Sequence, residues 1–458
     1  MKNVQKLFYA AGLMIAAACL IITSCTKEGP QGAQGVAGTN GVNGTNGTNG
    51  TDANETCKLC HSKTVVDSVA VTFELAKHNW GTVAFEEAGN TGCTPCHASK
   101  AFIYVCKNNV PSTFTLTGGK WVNNYATAAS DAIGAINCFT CHSSLHTTYG
   151  YSDITALTTI APVAMTMLAS DGTDPRKTID LQQNGGKSNL CVKCHQPRPL
   201  TCGNDPAGRV INYDSLRDYP TLMMYDSLPG ATTNKYARPS YRMHIHYGAV
   251  GAVYAGKGGI EYPGSELYTS SDHTTKASCP DCHMAAMTGI AGGHAFNMRN
   301  SKETALGSGT TWNFNGCNKT GCHSSMNATN TQFTGDRTAT KLLLDNLAAK
   351  INAIGGGHDL LHREADPTLN LWAGVSTNNY DGYLDIYDAS SNPNGFWRNP
   401  YGSGSTNAGK PKFPSLSFLR TGALINFQLC LREYSLGVHN YQYVKALMTN
   451  TLAQTQGW

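Results

Sequence analysis

Five times in this 458-residue chain two cysteines separated by two residues are followed at once by a histidine. The sites are Cys57, Cys60 and His61; Cys93, Cys96 and His97; Cys138, Cys141 and His142; Cys191, Cys194 and His195; and Cys279, Cys282 and His283. Chance supplies roughly 0.02 such matches in a chain of this composition. The pattern is that of covalent haem attachment, in which two thiols add to the two haem vinyl groups as thioethers and the adjoining imidazole lies under the iron. Zinc ribbons also use Cys-x-x-Cys pairs, but zinc does not require a histidine directly after every second cysteine.

A sixth site carries a longer spacer, Cys317-Asn-Lys-Thr-Gly-Cys322-His323. It is similar to the Cys-x4-Cys-His variant of low-potential multihaem cytochromes. Six haem c groups then take twelve of the seventeen cysteines. Of the others, Cys106 and Cys202 are candidates for a disulfide, and Cys430, in an apolar helical pattern, reads as core.

The second axial ligand of each iron must come from elsewhere. Beyond the six histidines of the motifs, the chain holds His78, His146, His244, His246, His273, His294, His358, His362 and His439. Nine candidates exceed six irons, so three are spare. Met284, Met287 or Met298 could ligate instead, but histidine on both sides gives the lower potentials suited to a relay.

The elements that must position these residues differ along the chain. Lys2 and Lys6 precede an apolar run from Leu7 to Ile22 that closes on Ile22-Thr23-Ser24-Cys25, a secretory signal peptide. Its end resembles a bacterial lipobox, which makes Cys25 the lipidated residue, and Lys27-Glu28 resembles the export signal of some Gram-negative surface lipoproteins. Glycine then recurs every third residue from Gly29 to Gly50, the period of collagen, although Pro30 is the one proline there. This reads as a stalk that lifts the next domain off a membrane, and its period admits a trimer. From Cys57 to about Met326 the chain is loop-rich, with turn signals at Thr117-Gly118-Gly119, Asn184-Gly185-Gly186 and Gly256 to Gly259. Beyond it, apolar residues recur at helical spacing from Thr338 to Ile354 and from Leu416 to Tyr434, separated by a loop from about Gly355 to Pro414.

Charged residues make up 14% of the chain, against roughly 25% in ordinary domains, so the surface is neutral and polar. The formal charge of +4 shrinks with the lysines of the signal and with about one negative charge per ferric bis-His haem. Nucleic acid is therefore a poor partner.

The stretch His244-Ile-His246-Tyr-Gly-Ala, Tyr254-Ala-Gly256, Tyr262, Tyr268, Ser270-Ser271-Asp272-His273, Cys279-Pro-Asp-Cys282-His283-Met284 and Gly292-Gly293-His294-Ala-Phe296 resembles a recurrent block of outer-surface multihaem c-type cytochromes. The tail Arg432-Glu-Tyr-Ser435-Leu-Gly437-Val438-His439-Asn440 is similar to the closing helix of the same group, which shares features with pentahaem nitrite reductase. The resemblance implies His273, His294 and His439 as distal ligands, with one of His244 and His246 as a fourth; His78 and His146 are further distal candidates. In nitrite reductase the catalytic haem uses a lysine in place of the motif histidine, whereas all six sites here end in histidine, which weighs against catalysis.

The expected fold is a mostly irregular, haem-packed multihaem cytochrome with scattered short helices and a helical C-terminal region. Its segments are a lipoprotein signal peptide (1–24), a lipid anchor and Gly-X-Y stalk (25–54), a multihaem domain (55–326) and a helical region packing on the haems (327–458). The expected function is electron transfer at the outer membrane, surface-exposed, toward other redox proteins or an extracellular acceptor. The alternatives are a multihaem oxidoreductase acting on a small nitrogen or sulfur compound, and a filament-forming cytochrome subunit.

Overall fold

The computed structural model describes residues 62–79, 93–107, 114–117, 120–123, 134–142, 157–165, 178–197, 200, 211–224, 245–246, 248–299, 311–355, 359–364, 375–384 and 416–458. All belong to the unit Asn54–Trp458 into which the chain divides after Ala53. The signal segment, Cys25, the glycine stalk, the motif at Cys57, Cys60 and His61, and also Cys202, His146, His244 and His358, lie outside the described residues.

Helix α1 (Lys63–Glu74) starts at Ser62, whose hydroxyl accepts the Val65 N–H, one of the donors a helix start leaves open. It is the longest helix described before residue 326, with Val65, Val66 and Val71 exposed and Val69 and Phe73 half-buried. Then come α2 (Thr94–His97), α3 (Ser99–Lys107) and α4 (Cys138–His142), with a hairpin of β1 (Phe114–Thr117) and β2 (Lys120–Asn123) between α3 and α4. Strands β3 (Val163–Ala164) and β4 (Thr178–Ile179) pair antiparallel. Next, α5 (Gln183–Val192) opens on a left-handed turn at Asn184, Gly185 and Gly186, where the sequence carries its turn signal. The short helices α6 (Tyr213–Asp218), α7 (Val250–Tyr254), α8 (Asp272–Lys276) and α9 (Cys279–His283) follow.

Beyond residue 326 the helices lengthen. Helix α10 (Thr331–Ala353) begins at Asn330, whose side chain accepts the N–H groups of Gln332 and Phe333, and so starts one turn and more before the apolar periodicity at Thr338. The segment after it holds an antiparallel pair of β5 (Leu361–Arg363) and β6 (Tyr380–Leu384). Helix α11 (Phe418–Arg432) is capped by Ser417 and α12 (Tyr441–Gln454) by Asn440. The three long helices pack on one another. Leu344, Leu347, Ile351, Leu424, Phe427, Leu431, Val444, Leu447 and Met448 are all fully buried there. Each such side chain contributes about 1.5–3 kcal/mol by leaving water. The same cluster takes in Val163, Ile179, Ile211, Leu216, Ile245, Val253 and Ile260 from the loop-rich part.

Helix α11 is buried on every side, so its polar residues need partners. Asn426 and Gln428 find them on the backbone of the loop-rich part. Asn426 accepts the Ile260 N–H at 2.8 Å and donates to the Ile260 carbonyl at 2.8 Å. From α12, Asn450 treats Glu266 the same way, at 3.1 and 2.9 Å. Gln428 accepts the Ile245 N–H at 3.2 Å, and the Asn440 cap accepts the Ser271 N–H at 2.8 Å. A primary amide offers one donor edge and one acceptor, so each asparagine substitutes for a neighbouring strand at a segment that has none. This seam holds residues 245–271, which lead into two of the motifs, against the long helices.

Candidate functional site

One helical turn brings residues i, i+3 and i+4 to the same face. Helix α9 is such a turn: Cys279, Cys282 and His283 share a side, with Pro280 in its first turn and a capping box in which Asp281 accepts the Ser278 N–H at 2.8 Å. The motifs at Cys93 and Cys191 close alike, with the histidine N–H bonded to the first cysteine's carbonyl: His97 to Cys93 at 3.1 Å and His195 to Cys191 at 2.9 Å. The longer motif keeps this closure. The His323 N–H bonds to the Cys317 carbonyl at 3.1 Å. Its two additional residues are taken up in a turn at Gly321, whose φ of +83° glycine adopts without strain.

The described motif histidines meet other histidines in twos. His195 faces His78 with ring centroids 5.9 Å apart, His97 faces His246 at 6.1 Å, His323 faces His273 at 5.9 Å, and His283 and His439 lie 6.2 Å apart with ring planes within 17° of parallel. His142 is within electrostatic reach of His294, which burial first and then His142 push below its ordinary range. Four described motif histidines thus each face a different non-motif histidine, and the fifth, His142, acts electrostatically on another. His362 goes elsewhere, to Asp381 at 2.6 Å across the β5–β6 pair. Among the described residues, no group of three or more His, Cys, Asp or Glu side chains converges to hold a metal ion.

This spacing fits a haem. Metal–imidazole bonds of about 2 Å put two rings on opposite faces of one iron with centroids about 6 Å apart. The outer nitrogens are held as well. Nδ1 of His283 bonds to the Phe296 carbonyl at 2.9 Å, Nδ1 of His273 to the Val438 carbonyl at 2.9 Å, and Nδ1 of His439 to the Glu433 carboxylate at 2.7 Å. With its hydrogen on Nδ1, each ring turns the lone pair of Nε2 to the other side. His195 bonds to the Gly248 backbone, and a side chain at Gly248 would press on its Nδ1 at 3.2 Å. Burial first, and then the surrounding histidines, push His195 and His283 down to about 4, so both are neutral, the form that binds a metal.

The thiols adjoin as well. A hydrogen bond with Cys96 and then burial raise the Cys194 thiol well above its usual range, and Cys279 does the same to Cys191. Burial raises Cys282 to about 12, with Cys317 adding to the effect. All the described cysteines are free. Cys430 is fully buried in α11, as a core residue is, and Cys106 is partly buried.

One participant is not apparent from spacing. Glu433 is fully buried and bonds to His439, Ser435 and Gly437 together. Its signal in the sequence is an acid at the end of an apolar helix, six residues before a histidine. Comparisons with protein-family models, with characterised proteins and with solved structures return no match for this chain.

Proposed function

We propose that this chain is a six-haem c-type cytochrome, lipid-anchored through Cys25 at the outer membrane, which relays respiratory electrons to an extracellular acceptor or a partner cytochrome. The observation that carries the reading is the matching of motif to non-motif histidines at about the separation two axial ligands require. In this reading the paired cysteines fix each haem, the motif histidine takes one axial position, and His78, His246, His273, His294 and His439 take the other. The bound group supplies reversible one-electron exchange at its iron. An iron closed on both faces has no position for a substrate, which favours a relay over catalysis.

The order of the sites supports the same reading. Cys96 touches Cys194, Cys191 touches Cys279, and Cys282 lies within electrostatic reach of Cys317, so the sites at Cys93, Cys191, Cys279 and Cys317 adjoin in a row as a relay needs. Anchoring and surface location are supported by the lipobox-like end of the signal and the glycine period after it.

Low-temperature EPR of the oxidised protein, with pyridine haemochrome and intact mass for the haem count, tests the proposal. Six haems with wholly low-spin signals are expected. A high-spin signal from a fully loaded protein marks an open iron and favours a multihaem oxidoreductase acting on a small nitrogen or sulfur compound. A mass without haem removes the cytochrome reading.

A further inference from the structure

The four ring nitrogens that face away from the paired histidines do not rest on the same kind of partner. His283 and His273 lean on the carbonyls of Phe296 and Val438, and His195 on the Gly248 backbone. His439 leans on a carboxylate. Glu433 is fully buried and its Oε2 lies 2.7 Å from Nδ1 of His439. The carboxylate is itself held in place: Oε1 accepts the Gly437 N–H at 2.8 Å and the Ser435 N–H at 3.1 Å, and Oε2 also accepts the Ser435 hydroxyl at 2.6 Å. The Ser435 hydroxyl in turn accepts the His439 N–H at 3.0 Å. Residues 433 to 439 thus form a rigid bracket around one buried negative group and one ring.

A carboxylate draws the Nδ1 hydrogen more strongly than a carbonyl does, because the acceptor is charged and buried. The imidazole becomes a stronger donor at Nε2, and electron density pushed toward an iron favours its oxidised state. We infer that Glu433, through His439, sets the site at Cys279, Cys282 and His283 to a lower potential than the neighbouring sites whose histidines lean on backbone carbonyls. This rests on the haem reading above. Glu433 acts through His439 and is a positioning residue. In a row of adjoining sites, a low-potential member is one where an electron does not linger, so electrons arriving there pass on to a neighbour.

The Ser435 hydroxyl supplies an internal control. It shares Oε2 with His439 and draws charge away from that bond, so its removal strengthens the bond that Glu433→Gln weakens. The experiment is a spectroelectrochemical titration of full-length wild-type protein and of the Glu433→Gln and Ser435→Ala variants, each with its haem count and its EPR spectrum. Glu433→Gln should raise the potential of one low-spin haem by about tenfold in its reduction equilibrium, about 59 mV for one electron, and Ser435→Ala should lower that same haem. Unmoved potentials, or shifts of both variants in the same direction, overturn the inference. So does a high-spin or carbon monoxide-binding iron in Glu433→Gln, which would make the acid a strut for the ligand. A wild-type peptide spanning Cys279 and Cys282 without haem mass overturns the haem reading and this inference with it, whereas a loaded peptide with an unmoved potential overturns the inference alone.

Discussion

Helix α11 and the segment from Asp272 to Met326 belong to the same unit of the chain, yet they bury different things. In α11, Phe418, Leu424, Ile425, Phe427, Leu429, Cys430 and Leu431 are all fully buried. Between Asp272 and Met326 the buried apolar residues among those described are Ala285, Ala291, Ala295 and Met326. Ordering a residue's backbone costs about 1–2 kcal/mol, and three alanines and a methionine bury too little hydrocarbon to offset that over such a length. This segment is held in the structure by hydrogen bonds, those of its own backbone turns and those of side chains that bond to backbone. Asn313 donates to the Ala286 and Ala291 carbonyls at 3.0 Å each, and Asn318 both donates to and accepts from Met326. In the proposed reading the missing apolar surface is the macrocycle itself, so one region carries its own core and the other is completed by its cofactors.

The sharpest way to break this contrast is to withhold haem. Protein made without the machinery that attaches it should lose protection across residues 93–142 and 272–323 altogether while α10 to α12 keep their helical signal, as limited proteolysis with mass spectrometry and circular dichroism would show. Simultaneous loss in both regions would mean that the long helices have no independent core. Next in size is Phe427→Ala, which empties a fully buried site in α11. It should lower stability by about 3–5 kcal/mol in denaturant titration and leave the haem count at six.

Smaller is Asn426→Leu, which keeps the branched outline of the side chain but strands the Ile260 N–H and carbonyl that Asn426 pairs. A loss of about 1–3 kcal/mol is expected. If stability is unchanged, the seam is not what joins the two regions. Smallest in stability, but clear in a spectrum, is His439→Gly. The reduced variant should bind carbon monoxide at one haem, and added imidazole should displace it. No adduct in a folded, fully loaded variant would show that His439, despite standing 6.2 Å from His283, is not an axial ligand.

Parts of the site were legible and parts were not. The attachment motifs can be read directly, because two thiols and an imidazole at i, i+3 and i+4 share one turn whatever lies around them. The periodicity in Thr338 to Ile354 falls within α10, while the start of that helix lies at Asn330 in a stretch with no apolar stripe. His273, His294 and His439 entered through a resemblance, and nothing local says that they stand by His323, His142 and His283 respectively. Between His244 and His246 the sequence does not choose; His246 is the one that faces His97, and His244 lies outside the described residues.

The sequence by itself determined the chemistry on offer: the repeated Cys-His motifs, the surplus of histidines and the apolar stripes of the C-terminal helices, each a short-range pattern that backbone geometry converts into one face of a turn. Tertiary structure alone decided which histidine faces which, that Glu433 and not a carbonyl backs His439, and that Asn426 and Asn450 clasp the backbone at Ile260 and Glu266. Asn426 and Asn450 reach Ile260 and Glu266 across 166 and 184 residues, and even Glu433 and His439, six residues apart, meet only through the fold of the turn between them. A single hydrogen bond has no period and leaves no local trace, so it becomes visible only when packing brings its two ends together.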